Sequence, residues 1–232
     1  MKSFFINLDL AEERRAKFKN TLRVVGGATL TTITRWRATP LEEVPTSVET
    51  KMLSMTNCPK QTHLCKCACW LSHTKLLEEI VKHKMNDVLI LEDDAVQVND
   101  IPNNYPRDGI VYVGGMIWWR KMMNNKNPKL QHKQGMNLCS PEYRILGCLA
   151  YIIPNWEIAE TILKLIYSQK RYRAIDTMMG NIGMKQYYNY PASFREEGVL
   201  SQISQNNKQN KIMTETYEYI NSKKYLKQKK MS

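Results

Sequence analysis

The order of apolar runs along this 232-residue chain predicts an α/β fold, a sheet flanked by helices in a single domain. Three observations carry that expectation. Short runs suited to buried strands occur at Phe4-Phe5-Ile6, Val88-Leu89-Ile90-Leu91, Ile110-Val111-Tyr112-Val113 and Gly147 to Ile153. Stretches with helical spacing alternate with them. Neither an internal repeat nor an internal domain boundary interrupts the series.

Taken in order, Phe4-Phe5-Ile6 is the first strand, and the charged stretch Ala11 to Phe18 is the helix that follows it. Ile33 to Trp36 is a second strand. Residues 40–62 read as a loop, broken by Pro40, Pro45 and Pro59. From Cys67 to Lys84, the residues Trp70, Leu77, Ile80 and Val81 share one helical face. His73 lies on that face, either as a core histidine bonded to a backbone carbonyl or as a ligand or catalytic group. The strand Val88–Leu91 follows, then Ile110–Val113, which ends at Gly114-Gly115. Paired glycines there admit the close approach of another backbone or of a ligand. The polar excursion 120–137 reads as a long loop that could serve as a lid. After the strand Gly147–Ile153, Asn155 caps a helix to about Ser168, with Ile158, Ile162, Leu165 and Ile166 inward. The stretch Ser204 to Lys211 is rich in Gln, Asn and Lys and reads as flexible.

Composition narrows the class. The net charge is +12, from 34 basic and 22 acidic residues, which suits an anionic partner. Lys223, Lys224, Lys227, Lys229 and Lys230 concentrate that excess in a tail that could touch an anionic membrane surface. No zinc finger, helix-turn-helix or aromatic RNA-binding motif accompanies it, so nucleic acid is not the expected partner. Only three apolar residues in a row precede Asn7, too few for a secretory signal. No segment approaches the ~20 apolar residues of a membrane span. The expected location is cytoplasmic, and heavy use of Lys and Asn is in keeping with an AT-rich genome, bacterial or of a large DNA virus. Reduced thiols are then the default for the six cysteines. The spacing Cys65-x-Cys67-x-Cys69 invites a zinc reading, but paired CxxC knuckles are missing and small apolar packing is the expected role.

The informative junction is where Val88–Leu91 runs into Glu92-Asp93-Asp94. Consecutive carboxylates repel unless a cation or a set of donors offsets them. In open α/β sheets, ligands bind beyond the carboxyl ends of strands. An acidic cluster delivered to such an edge is a candidate metal and phosphate site.

Several blocks, in order, resemble glycosyltransferase family 25, the group that includes lipopolysaccharide and procollagen galactosyltransferases. They are Phe5-Ile6-Asn7-Leu8-Asp9 with Arg14, Ala68-Cys69-Trp70-Leu71-Ser72-His73, Leu89 to Ala95, Asp108 to Gly114, Gly147 to Ile153 with Ala159, and Ile175-Asp176. The resemblance covers residues 1–203, leaving 204–232 as a polar, basic C-terminal segment, partly flexible or helical. It implies a GT-A fold, a Rossmann-like mixed sheet that holds a nucleotide sugar. It also implies an inverting hexosyl transfer, of galactose or glucose, from a nucleotide sugar, with UDP as the expected nucleotide, to a hydroxyl of a glycan or glycoconjugate.

The resemblance assigns roles to residues. Mn²⁺ or Mg²⁺ is bound by one or two carboxylates together with substrate phosphates. Glu92 with Asp94, or Asp93 with Asp94, can supply them, and Asp94 is the expected direct ligand. The earlier acidic residues contact the ribose or a metal-bound water. Asn7, Leu8 and Gly114 line the donor pocket, and Arg14 either reaches the diphosphate or is a surface helix charge. Asp176 is the expected base, with an orienting role toward donor or acceptor hydroxyls as its alternative; Glu196 and Glu197 are weaker candidates. His73 supports the site from its helix. Where Ser201-Gln202-Ile203 stands, relatives have an acid at the second position. The alternative function is therefore a GT-A-fold nucleotide-sugar-binding protein with impaired catalysis.

Overall fold

A computed structural model describes residues 1–21, 33–53, 58–119, 133–141 and 143–196. These belong to one unit spanning Met1–Glu197. Most of the lid expected at 120–137 lies outside the described residues, as do Glu197, Gln202, the Gln/Asn-rich stretch 204–211 and the lysines of the tail.

The α/β expectation is met. A seven-stranded mixed sheet runs in the order β2-β1-β3-β7-β5-β8-β6. Its strands are β1 (Lys2–Asn7), β2 (Ile33–Arg37), β3 (Val88–Glu92), β5 (Ile110–Trp119), β6 (Gly135–Leu138), β7 (Tyr143–Ile153) and β8 (Gln186–Tyr190). A two-stranded sheet pairs β4 (Ala95–Gln97) with β9 (Phe194–Glu196). The helices are α1 (Glu12–Thr21), α2 (Thr46–Lys51), α3 (Lys60–Lys82), α4 (Trp156–Tyr167) and α5 (Ile175–Met179), with a 3₁₀ turn at Leu41–Glu43.

Strand β3 shows why the sequence folds this way. Val88, Ile90 and their neighbours face a core built with α3, α4 and α5, including Leu76, Leu77, Ile80, Ile162 and Ile166. Leu89 and Leu91 face a second core with Phe5, Phe18 of α1 and Phe194 of β9. A strand covered on both sides needs apolar residues at every position, and an unbroken run supplies them. On α3, Trp70 stacks on Tyr172 with ring centroids 4.4 Å apart. Asn155 caps α4 as expected, its Oδ1 accepting from Ile158 N at 3.0 Å.

Several elements differ from the expectation. Helix α3 begins at Lys60 and not at Cys67, because Pro59 stands at its N-cap and its first turns, Lys60–Lys66, are polar and only partly covered. The described residues of 40–62 include a 3₁₀ turn, α2 and the start of α3, so they are not a loop throughout. Strands β4, β6, β8 and β9 were not expected. Three of them are short or polar, and β8 is Gln-Tyr-Tyr-Asn-Tyr, whose apolar character lies in its rings. Along α4 the buried residues are Ala159, Ile162, Leu163 and Ile166, so the inward face is rotated from the expected one, leaving Ile158 and Leu165 at its margin.

The topology places the site. β1 pairs in parallel with β2 on one side and with β3 on the other. The chain thus leaves β1 outward to β2 and returns across it to β3, so the order reverses between β1 and β3. A crevice opens at such a switch point, beyond the carboxyl ends of the two strands. The register Ile6↔Glu92 sets Asn7 level with the start of the acidic turn.

Candidate active site

At the switch point the amide of Asn7 bridges the two strands. Asn7 is 1% exposed and donates through Nδ2 to Asp93 Oδ2 at 2.7 Å and to Ala11 O at 3.3 Å. Arg35 of β2 fixes that amide, donating from Nε to Asn7 Oδ1 at 3.2 Å and from a terminal nitrogen to Asn7 O at 3.1 Å. The same guanidinium pairs with Asp9. Arg37 also reaches Asp9, at 2.7 Å, and pairs with Glu43.

Arg14 comes from α1. Its guanidinium is 2.5 Å from Asp93 Oδ1 and 3.2 Å from Asp94 Oδ2, so it belongs to the acidic turn and is not a free surface charge. Asp93 is therefore held by both Asn7 and Arg14. Among the described residues, Asp94 is held by Arg14 alone. Its other oxygen, Oδ1, is buried and has no hydrogen-bond partner among the described residues.

Electrostatics follow from that difference. Burial pushes the Asp93 carboxyl up, against the pull of Arg14 and the Asn7 hydrogen bond. Burial and the charge of Glu92 push Asp94 up to about 8, with Arg14 opposing. Arg14 alone does not offset the burial and the charge of Glu92, and a divalent cation would supply further positive charge. The donor set of hard oxygens at the acidic turn fits Mn²⁺ or Mg²⁺.

Glu92 points to the α3 side of the sheet. Its Oε1 lies 3.4 Å from His73 Nε2. His73 is 1% exposed, and its Nδ1 is 2.9 Å from the hydroxyl of Tyr151, so the expected backbone partner is replaced by a tyrosine and a glutamate. Cys69, one turn earlier on α3, joins the same group. Burial pushes its thiol well up, and Glu92, Asp176 and Asp94 add to the effect, which puts the three carboxylates within electrostatic range of one side chain.

Asp176 enters from the start of α5. Its Oδ2 accepts from Gly147 N at 3.2 Å and its Oδ1 from Thr177 N at 2.6 Å. The Gly147 N–H is available because β5 and β7 fall out of register there. Gly114 pairs with Ala150 and Met116 with Leu146, so Gly147, Cys148 and Leu149 lie opposite the single Gly115. Gly115 has φ +119°, and a Cβ there would meet the carbonyl oxygens of Leu146 and Gly147 at 3.1 Å. Only glycine suits that position.

Gly114 is buried beneath β9. A Cβ on it would meet Ala150 Cβ at 3.0 Å and Phe194 Cβ and O at 3.1 Å. Of the two approaches a glycine pair admits, that of the protein's own Ala150 and Phe194 fills this one. Leu8 is partly buried at the end of β1, and its carbonyl accepts from Ala11 N at 3.1 Å. Asn7 and Arg14 thus meet at Asp93, and Arg14 reaches on to Asp94; Glu92 and Asp176 flank them, while Gly114 packs against Ala150 and Phe194. The expectations missed Arg35, Tyr151 and the Gly147 N–H. Arg35 sits in a strand of mixed character, and only the parallel register of β1 with β2 brings it to Asn7.

The profile of glycosyltransferase family 25 (LPS biosynthesis protein) matches residues 1–179. The chain belongs to glycosyltransferase family 25. It is a glycosyltransferase, and its family implies a nucleotide-sugar donor and a glycan acceptor. The match takes in β1, α1, β3 and α5, which are the elements that supply Asn7, Arg14, the acidic turn and Asp176. No curated protein matches the chain. Among the described residues, no helix of this family 25 member is long and apolar enough to cross a membrane.

Proposed function

We propose that this enzyme is an inverting, divalent-cation-dependent hexosyltransferase. It moves galactose or glucose from a UDP-sugar to a hydroxyl of a glycan or glycoconjugate. One observation carries the reading: Asp94, at the switch point, keeps a buried carboxylate oxygen without a partner among the described residues, beside the charge of Glu92.

Asp94, with Glu92, would hold Mn²⁺ or Mg²⁺. When bound, the ion supplies positive charge against the negative charge that builds on a departing diphosphate. The protein supplies the remainder. Asn7, held by Arg35, keeps Asp93 and the end of β1 in place beside the donor. Arg14 carries a guanidinium at the same spot, with a buried Nε that has no partner among the described residues and can donate to a phosphate oxygen. Leu8 offers the nucleotide an apolar contact at the mouth of the crevice.

Asp176 is the base in this reading. As the bond from the anomeric carbon to the diphosphate oxygen breaks, a bond to the acceptor oxygen forms on the opposite face. The acceptor's proton passes to the Asp176 carboxylate, and the nucleoside diphosphate leaves. The N–H groups of Gly147 and Thr177 fix the direction of that carboxylate.

A donor-binding titration tests the proposal. UDP-galactose and UDP-glucose are offered to the full chain with Mn²⁺ and with EDTA, and the nucleotide released on turnover is identified. The expected result is Mn²⁺-dependent binding that Asp94→Asn removes, with UDP as product. Binding indifferent to both Mn²⁺ and Asp94, or release of UMP, overturns it.

A further inference from the structure

Cys69 and His73 stand one turn apart on α3, and both face Glu92 at the end of β3. The thiol sulfur, an imidazole nitrogen and a carboxylate oxygen of the three all lie within 4.8 Å of one another. Neither the thiol nor the imidazole has a part in the transfer reaction above. A tetrahedral zinc ion, with bonds near 2.0–2.3 Å, separates a nitrogen and an oxygen ligand by about 3.3 Å and a sulfur and a nitrogen by about 3.6 Å. His73 Nε2 and Glu92 Oε1 already stand 3.4 Å apart.

The surroundings suit a cation. Tyr151, fully buried, holds His73 Nδ1 through its hydroxyl at 2.9 Å and turns Nε2 toward Glu92. Metal-binding histidines commonly have their second nitrogen anchored in this manner. Glu92 is only partly buried, so an ion can reach the group from its side. The charges of Glu92, Asp94 and Asp176 make the local field negative.

We propose that Cys69, His73 and Glu92 form a binding site for a thiophilic divalent ion of the zinc class, set apart from the hard-oxygen site at Asp94 by its sulfur and imidazole ligands. Sulfur and imidazole select zinc, and cobalt as its probe, over manganese and magnesium. On binding, the Cys69 S–H bond breaks, its proton goes to buffer, and the thiolate lone pair goes to the ion; nothing is oxidised or reduced. Glu92 is common to both sites. If the hard-oxygen reading also holds, zinc draws Glu92 away and weakens Mn²⁺-dependent donor binding.

The test is a Co²⁺ titration of the full chain, followed by the thiolate-to-cobalt charge-transfer absorption and by competition with Zn²⁺. The wild type is expected to show the band at one Co²⁺ per chain, and Cys58→Ser to keep it. Cys69→Ser is expected to lose the band and bind Zn²⁺ at least about tenfold more weakly, as for loss of one ligand. A wild type without the band, a band that survives Cys69→Ser, or one that Cys58→Ser removes overturns the site. Near-UV circular dichroism checks the fold. Should Cys69→Ser fail to fold, Glu92→Gln decides: the band persists with at least about tenfold weaker affinity, and an unchanged affinity overturns the site. Asp94→Asn separates the two sites, since it is expected to spare the cobalt band while removing Mn²⁺-dependent donor binding.

Discussion

Asp93 and Asp94 are neighbours in the chain with nearly equal cover, their side chains 11% and 10% exposed. Their surroundings differ. Asp93 has the Asn7 amide on one oxygen and Arg14 on the other; Asp94 shares Arg14 and leaves its second oxygen without a partner among the described residues. A buried carboxylate with both oxygens occupied ties elements together, here β1 and α1 to the tip of β3. One with an orphaned oxygen costs stability unless a ligand completes it. The pair therefore separates a structural role from a binding role within two residues.

The largest expected effect breaks the pair at Asp94. Asp94→Asn keeps the shape and removes the charge. Activity in Mn²⁺ should fall by on the order of 10²–10³-fold, the scale for loss of a group that stabilises charge developing in the transition state. Metal-free stability should not fall, because the variant removes the repulsion with Glu92. Rate assays alongside thermal melts in EDTA measure both. A variant that melts lower and retains activity would reverse the assignment.

Asp93→Asn should do the opposite. It weakens the Arg14 pair and the charge on the Asn7 hydrogen bond, and hydrogen bonds to charged groups contribute about 1.5–3 kcal/mol. Chemical denaturation should show a loss of that size. Mn²⁺ affinity should fall less than in Asp94→Asn, which isothermal titration checks.

pH sharpens the same contrast in the metal-free protein. The folded-state Asp94 carboxyl stands at about 8 against an ordinary 3.8, so the folded chain holds that proton more tightly than the unfolded chain. The stabilisation is full below about 4 and is lost as pH rises through about 8. Asp9, Glu43, Asp87 and Asp108 are lowered, and their contribution is lost at the acid end instead, as pH falls below the usual carboxylate range. Between pH 5 and 8, roughly, the melting temperature in EDTA should therefore fall as pH rises. Asp94→Asn should reduce that slope to what Asp93 and Glu196, also raised by burial, contribute; an equal slope in the variant would assign it to those groups.

How much of this was legible in the sequence divides along the same line. The Val88–Leu91 run and the acidic turn were readable because a strand buried on both faces must be apolar throughout, and charges at its end then stand out. Asn155 was readable because capping is local. Which carboxylate is satisfied was not readable, because Asn7 reaches Asp93, and Arg35 reaches Asn7, through strand register, and no local pattern encodes register between β1, β2 and β3. The role of Cys69 was hidden for a related reason. Its spacing with Cys65 and Cys67 points along the helix, whereas its neighbours Glu92 and Asp176 arrive from β3 and α5. Gly114-Gly115 suggested close approach, yet only the β7 bulge distinguishes a glycine under backbone from one needed for its φ.

Arg35 offers the smallest and most discriminating perturbation. It touches neither Asp93 nor Asp94, yet it holds Asn7 by both the side-chain oxygen and the carbonyl. An amide can present its oxygen or its nitrogen to a neighbour, and Arg35, by donating to Oδ1, leaves Nδ2 facing Asp93. Arg35→Lys keeps the charge near Asp9 and loses the planar fork that satisfies two acceptors at once. If Asp93 serves as a tie, loosening Asn7 should weaken donor binding by about tenfold, the low end for residues that orient a binding group. The turnover rate at saturating donor should hardly change, because Asp94 and Asp176 stay in place. Donor KM and kcat measured side by side decide the matter. A loss confined to kcat would mean that Asn7 and Asp93 act in the chemical step itself, and the division of labour between the two aspartates would no longer hold.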